Sequence, residues 1–172
     1  MSKLIIICGL SFSGKSTLGN AIAKQFGHKV VDVDETKTQL FGLGVLDKDL
    51  SHEQWVKIYD ETDKQMEKYV MSGESVIDAS RNFRKAEREK VGEIAKKSGA
   101  ELVTVYIDTP EEIVHERMLE NRTSQVRKDI TDKDFEEILQ VMEVPAEDEN
   151  TLVFHYDEDV SSWIVSQSLV LN

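Results

Sequence analysis

Residues 9–16 read Gly9-Leu-Ser-Phe-Ser-Gly14-Lys15-Ser16, which fits the pattern G-x-x-x-x-G-K-[ST]. This pattern suits the binding of a chain of phosphates. The glycines let the backbone turn tightly enough for successive N–H groups to converge on an anion. A helix starting just after the turn adds favourable potential at its N-terminus. Gly9, Ser11, Phe12, Ser13, Gly14, Lys15, Ser16 and Thr17 are therefore the candidate nucleotide-binding residues. Lys15 is expected to reach the β- and γ-phosphates of ATP, and the Ser16 hydroxyl to sit on the accompanying Mg²⁺.

Moving a phosphoryl group also requires a metal shell, positive charge on the moving group and an oriented nucleophile. Asp34, in Val31-Asp32-Val33-Asp34, stands where a carboxylate could orient an attacking hydroxyl or take its proton. The alternative is a cap for the helix that follows it. Asp32 alternates with it and is a candidate Mg²⁺ ligand through water. Asp78 ends the apolar run Val76-Ile77 and is a second candidate for the metal shell, or a turn residue. Arg117, Arg122 and Arg127 recur every five residues. Arg122 and Arg127 are expected to close over the phosphates, the alternative being ion pairs with nearby acids. Arg81, Arg84 and Arg88 follow the third strand and could hold an anionic acceptor. No histidine has metal-ligand spacing. Trp55 and Tyr59, four apart, are expected to stack as a helix stripe, a place over the substrate being the alternative, and Trp163 to be a core residue of the last helix.

These residues need a frame that brings them together. Strands are predicted over Leu4–Cys8, Lys29–Val33, Ser75–Asp78, Glu101–Ile107 and Leu152–His155. Helices are predicted over Lys15–Phe26, Glu35–Phe41, His52–Met71, Arg84–Lys97, Pro110–Asn121, Thr131–Met142 and Val160–Leu169. Thr109 would cap the helix that Pro110 opens. Strands separated by helices imply an α/β fold with a five-stranded parallel sheet. Ligands of such sheets bind beyond the carboxyl ends of the strands. The phosphate loop and the polar residues after each later strand should therefore meet at one edge.

The chain has 172 residues and no internal boundary, so residues 1–172 are expected to form one domain. Its single cysteine, Cys8, lies in the first apolar run, which suits a reducing cytoplasm. Leu4–Cys8 is too short for a secretory leader, and no stretch approaches a membrane span. The formal charge is −12, and residues 129–159 hold twelve carboxylates against one lysine. That balance disfavours a long nucleic acid as partner, although an oligonucleotide end stays open. A monomer or a homodimer is expected.

Along nearly its whole length the chain resembles the small P-loop kinases of the polynucleotide-kinase-like and zeta-toxin-like branch, which carry an AAA-type ATP-binding domain. The likeness rests on Gly9–Thr17, on Asp34 followed by Lys37, on Val76-Ile77-Asp78-Ala79-Ser80 with Arg88 after it, and on the arginine series. It also includes Met142-Glu143-Val144-Pro145 with Glu149. The resemblance implies a P-loop NTPase fold with a helical lid, approximately residues 117–145. It further implies transfer from ATP·Mg²⁺ to a hydroxyl acceptor oriented by Asp34, with Lys37, Arg81 and Arg88 on the acceptor side. Lys37 stands where that branch commonly has arginine, and Arg81 where it often has asparagine. The Asp32-x-Asp34 pair is also similar to shikimate and gluconate kinases, whose acceptors are small metabolites. A regulatory ATPase without an acceptor is the alternative of another class.

Overall fold

Leu4 to Cys8 is apolar at every position, and a strand of that kind must be covered on both faces. The computed structural model, which describes residues 1–126 and 129–172, bears this out. Strand β1 (Lys3–Cys8) is buried throughout. It is flanked by β3 (Val76–Asp78) and β4 (Glu101–Asp108), with β2 (Lys29–Val31) and β5 (Thr151–His155) at the edges. The order is β2-β3-β1-β4-β5 and every neighbouring pair is parallel. The expected five-stranded parallel sheet is therefore present.

Alternate residues of β1 serve opposite layers, as the period of a strand demands. Ile5 and Ile7 pack with Leu18 and Ile22 of α1 (Lys15–Phe26), Trp163 and Ile164 of α7 (Val160–Ser166) and Leu171 of α8 (Ser168–Leu171). Leu4 and Ile6 pack with Met66 and Val70 of α3 (His52–Met71) and with Val91 and Ala95 of α4 (Lys85–Ser98). Each fully buried side chain of this size contributes about 1.5–3 kcal/mol relative to exposure. Helix α1 rides directly on the sheet. A Cβ at Gly19 would lie 3.2 Å from Ala79 Cβ and 3.3 Å from Ile7 Cδ1.

A third cluster joins Val114 and Met118 of α5 (Glu111–Ser124), Phe135 of α6 (Asp132–Val141) and Phe12 of the β1–α1 loop. Helix α5, and with it α6 of the acid-rich stretch, is thereby tied to the phosphate loop.

Three local expectations are corrected. Strand β2 stops at Val31 and α2 runs Val33–Phe41, so Asp32, not Asp34, is the cap. Its Oδ1 accepts the N–H groups of Asp34 at 2.7 Å and Glu35 at 3.1 Å. Thr109 does not cap α5; its hydroxyl donates to the Ser13 carbonyl at 3.3 Å. The last helix is broken at Gln167 into α7 and α8. Trp163 is a core residue, as its pattern indicates, and its indole N–H donates to the Val153 carbonyl at 2.9 Å.

Candidate active site

The β1–α1 loop turns through three positive-φ residues: Gly9 at 144°, Phe12 at 65° and Gly14 at 112°. A side chain at Gly9 would be strained, since its φ is positive and a Cβ would lie 3.0 Å from the Ile107 carbonyl oxygen. At Gly14, which caps α1, the space a Cβ would enter is open. Phe12 is not a glycine, and its left-handed backbone is held by burial of its ring in the third cluster. The loop is also gripped from behind. Arg117 Nη1 on α5 donates to the carbonyls of Phe12 at 3.3 Å and Ser13 at 3.1 Å. Thr109 shares the Ser13 acceptor. The loop shape is thus imposed by packing before any anion arrives. Lys15 curls inward, its Nζ donating to the Gly9 and Leu10 carbonyls at 2.8 Å each and lying 5.1 Å from the Phe83 ring centroid.

Three cavities surround the loop. A small polar one of about 90 Å³ is lined by Lys15, Ser16, Ser11, Asp32, Asp34 and Ser80, among others. A second, of about 350 Å³, lies across the loop between Gly14, Thr17, Arg117, Phe154, Tyr156 and Val160. The third and largest, about 450 Å³, is walled by Trp55, Tyr59, Phe83, Arg81 and residues of α4 and α6. Every candidate loop residue except Gly9 lines one of the first two. Asp34 lines both the small cavity and the large pocket.

Asp34 sits in the first turn of α2, and its carboxylate is held by Lys37 Nζ at 2.9 Å. That ammonium also binds Asp47 Oδ1 at 2.7 Å, and the lysine is itself buried. Lys37 therefore positions Asp34. The oxygen-rich small cavity fits a hard cation. Mg²⁺ takes one or two carboxylates together with phosphate and water oxygens, and Ser16 and Asp32 offer such donors beside Lys15. Asp78 does not line that cavity. It is fully buried, and its oxygens accept from Ser80 N at 3.2 Å, Ser80 Oγ at 2.8 Å, Arg81 Nε at 3.3 Å and Asn82 Nδ2 at 3.0 Å. Its carboxylate organises the turn after β3.

The arginines divide. Arg81 faces the large pocket but is paired with Asp63 and Asp78. Burial pulls its guanidinium downward, and those two carboxylates more than offset it. Arg88 is corrected as an acceptor ligand: it is buried and clasps Glu149, while its Nη1 donates to the Asn82 and Phe83 carbonyls. Arg122 pairs with Asp132 at 2.5 Å and Asp129 at 3.5 Å, bridging α5 to the start of α6. Arg127 lies outside the described residues. Trp55 and Tyr59 do stack, with ring centroids 5.7 Å apart, but they line the large pocket instead of the core. Their i, i+4 spacing announced the contact, and the pocket wall is the alternative placement. Asp47, Asp63 and Phe83 carried no motif that would have singled them out. Among the described residues no cluster of three or more His, Cys, Asp or Glu could hold a metal unaided, and no helix is long and apolar enough to cross a membrane.

The same frame occurs elsewhere. A protein from Chloroflexus aurantiacus j-10-fl superposes with a TM-score of 0.74 at 21% identity, over 98% of this chain and 96% of that one. Kti12 from Chaetomium thermophilum, in complex with ADP-AlF3, gives a TM-score of 0.74 at 16% identity, over 96% and 97%. A gluconokinase from Sinorhizobium meliloti 1021 gives 0.63 at 21% identity, over 99% and 90%. No curated protein matches the chain. A family model described as an AAA domain matches residues 4–145. The chain belongs to that AAA-domain family, with the five-stranded parallel α/β fold of P-loop kinases.

Proposed function

We propose that the protein is an ATP-dependent phosphotransferase that delivers the γ-phosphoryl group to an acceptor hydroxyl. One observation carries the reading: Asp34 lines both the small cavity beside Lys15 and Ser16 and the large pocket next to it. A carboxylate at that boundary touches the phosphate compartment on one side and an acceptor on the other. A nucleotide base would occupy the 350 Å³ pocket across the loop, beside Thr17 and Arg117. The similarity to a gluconokinase agrees with this class of reaction.

In the proposed step the acceptor oxygen forms a bond to the γ-phosphorus as the bond from that phosphorus to the ADP oxygen breaks. The acceptor proton passes to Asp34, which Lys37 holds in place. Lys15 leaves the Gly9 and Leu10 carbonyls and turns to the phosphates. Ser16 and Asp32 would hold Mg²⁺, which would supply charge neutralisation. Helices α5 and α6 act as the lid, bringing Arg122 over the site. The acceptor is a small molecule or an oligonucleotide 5′-end, since the large pocket has the volume of a small-molecule site.

The test is transfer of labelled γ-phosphate from ATP·Mg²⁺ to a panel of hydroxyl acceptors, with Lys15→Ala as control. A labelled product from the native chain and none from the variant is expected. Equal labelling by both would overturn the mechanism.

A further inference from the structure

The large pocket is built unlike a site for an anion. Its platform is aromatic: the Trp55 and Tyr59 rings stack at 28°, on one face of α3, with Phe83 also in the wall. Two cations among the described lining residues, Arg81 and Lys90, are already matched by carboxylates. Arg81 binds Asp78 and Asp63, and its guanidinium carbon lies 5.3 Å from the centre of the Tyr59 ring. Lys90 binds Asp63 Oδ2 at 2.7 Å, and Asp63 is 12% exposed. An incoming carboxylate or phosphate would have to displace Asp63 or Asp78 from these cations, leaving a buried charge unpaired. It would also meet the carboxylates of Glu87 and Asp134 in the same wall. Burial pushes the Tyr59 phenol up, so that ring is neutral at physiological pH.

We infer that the acceptor is an uncharged hydroxyl compound with a planar ring, which stacks on Trp55 and Tyr59 and presents its hydroxyl to Asp34. The inference rests on the phosphotransferase reading for the role of Asp34, but the ring platform is testable without it. Flat apolar surface favours a flat apolar body, because aromatic faces stack with geometric preference beyond simple area burial. Cations spent on Asp63 and Asp78 disfavour sugar acids and phosphate-bearing chains.

Trp55 is itself the probe. With ADP saturating the nucleotide site, thymidine and 2-phenylethanol are titrated as neutral ring alcohols, and gluconate and shikimate as anions. Fluorescence is read in the native chain and in Trp55→Phe, where Trp163 supplies the background. Neutral ring alcohols should quench the native chain at least fivefold more than the variant, and the anions should not. Equilibrium dialysis of labelled thymidine on the native chain repeats the measurement without a substitution. Labelled γ-phosphate should then pass from ATP to the compounds that quench. Quenching without transfer supports the pocket assignment and counts against the phosphotransferase reading. Transfer to gluconate or shikimate, with no binding of either neutral ring alcohol, overturns the inference and leaves that reading intact. Neither binding nor transfer overturns both.

Discussion

Arg88 and Glu149, 61 residues apart, form a two-point ion pair: Nε to Oε2 at 2.6 Å and Nη2 to Oε1 at 3.0 Å. The pair joins α4 to the single turn at Glu147–Glu149, just before β5. Glu143 reinforces the same junction, its N–H donating to the Phe83 carbonyl and its carboxylate accepting from Lys85 N. The acidic stretch after α6 is therefore fastened to the turn that carries Phe83, under Lys15. Its charge is partly structural.

Removing one member of a buried pair strands the other, at about 3 kcal/mol or more. Glu149→Gln should accordingly lower the urea midpoint substantially. The pair also predicts a pH dependence. Arg88 hydrogen bonding holds the Glu149 carboxyl below its ordinary value of 4.5. A depressed carboxylate stabilises the fold fully above its unfolded value, and that contribution fades as pH falls through the folded one. Stability of the native chain should drop below about pH 4.5, and Glu149→Gln should flatten that part of the profile. Equal slopes in the two proteins would remove the pair from the account.

Arg117 reaches the phosphate loop from behind, and its loss should act on binding before chemistry. Arg117→Ala leaves the Phe12 and Ser13 carbonyls without that donor. The loop must then be ordered at the expense of binding energy, which should weaken nucleotide affinity about tenfold, or about 1.4 kcal/mol. Calorimetric titration of ADP into the two proteins checks this. Unchanged affinity would mean that Phe12 packing and the Thr109 hydrogen bond hold the loop without Arg117.

Much of the frame is legible in the chain because it depends on local pattern. An unbroken apolar β1, Gly73 and Gly99 after α3 and α4, and helical runs between strands dictate the layers. What escapes is whatever depends on a partner distant in sequence. Arg88 looks like an acceptor ligand until Glu149 is brought to it, and Arg81 looks available until Asp63 of α3 meets it. The cap of α2 turns on one residue: β2 ends at Val31, so Asp32 takes the backbone N–H groups and Asp34 is left to face the cavities. Pattern places a carboxylate there and cannot say which one the helix consumes.

Cys8 offers a check on the core that needs no substrate. Its side chain is fully buried, its thiol donates to the Val105 carbonyl at 3.4 Å, and burial pushes its pKa up to about 11. Thiolate, not thiol, reacts with disulfide reagents, so at pH 8 about one thiol in a thousand is competent even if reached. Labelling by an aromatic disulfide should therefore wait on opening of the sheet. It should slow further with saturating ATP, which stabilises the folded state by mass action. Complete labelling of the native chain within seconds would contradict the burial of β1.

On the proposed reaction, variants of Asp34 and Lys37 should separate chemistry from binding. If Asp34 orients the acceptor and takes its proton, Asp34→Asn should lower kcat by about 10²–10⁴ while leaving ATP affinity within about twofold. Lys37 acts one step back, since its Nζ holds Asp34 at 2.9 Å and Asp47 at 2.7 Å. Lys37→Met keeps the carboxylate but releases it, so kcat should fall less than in Asp34→Asn. Lys37→Arg, which restores a cation with longer reach, should recover part of the loss. A general loss of fold would lower the urea midpoint of all three variants together and would not follow this order. If Asp34→Asn turns over like the native chain, the carboxylate at the boundary of the two cavities is not the group that meets the acceptor. Asp32, the other carboxylate lining the small cavity, would then have to be tested in its place.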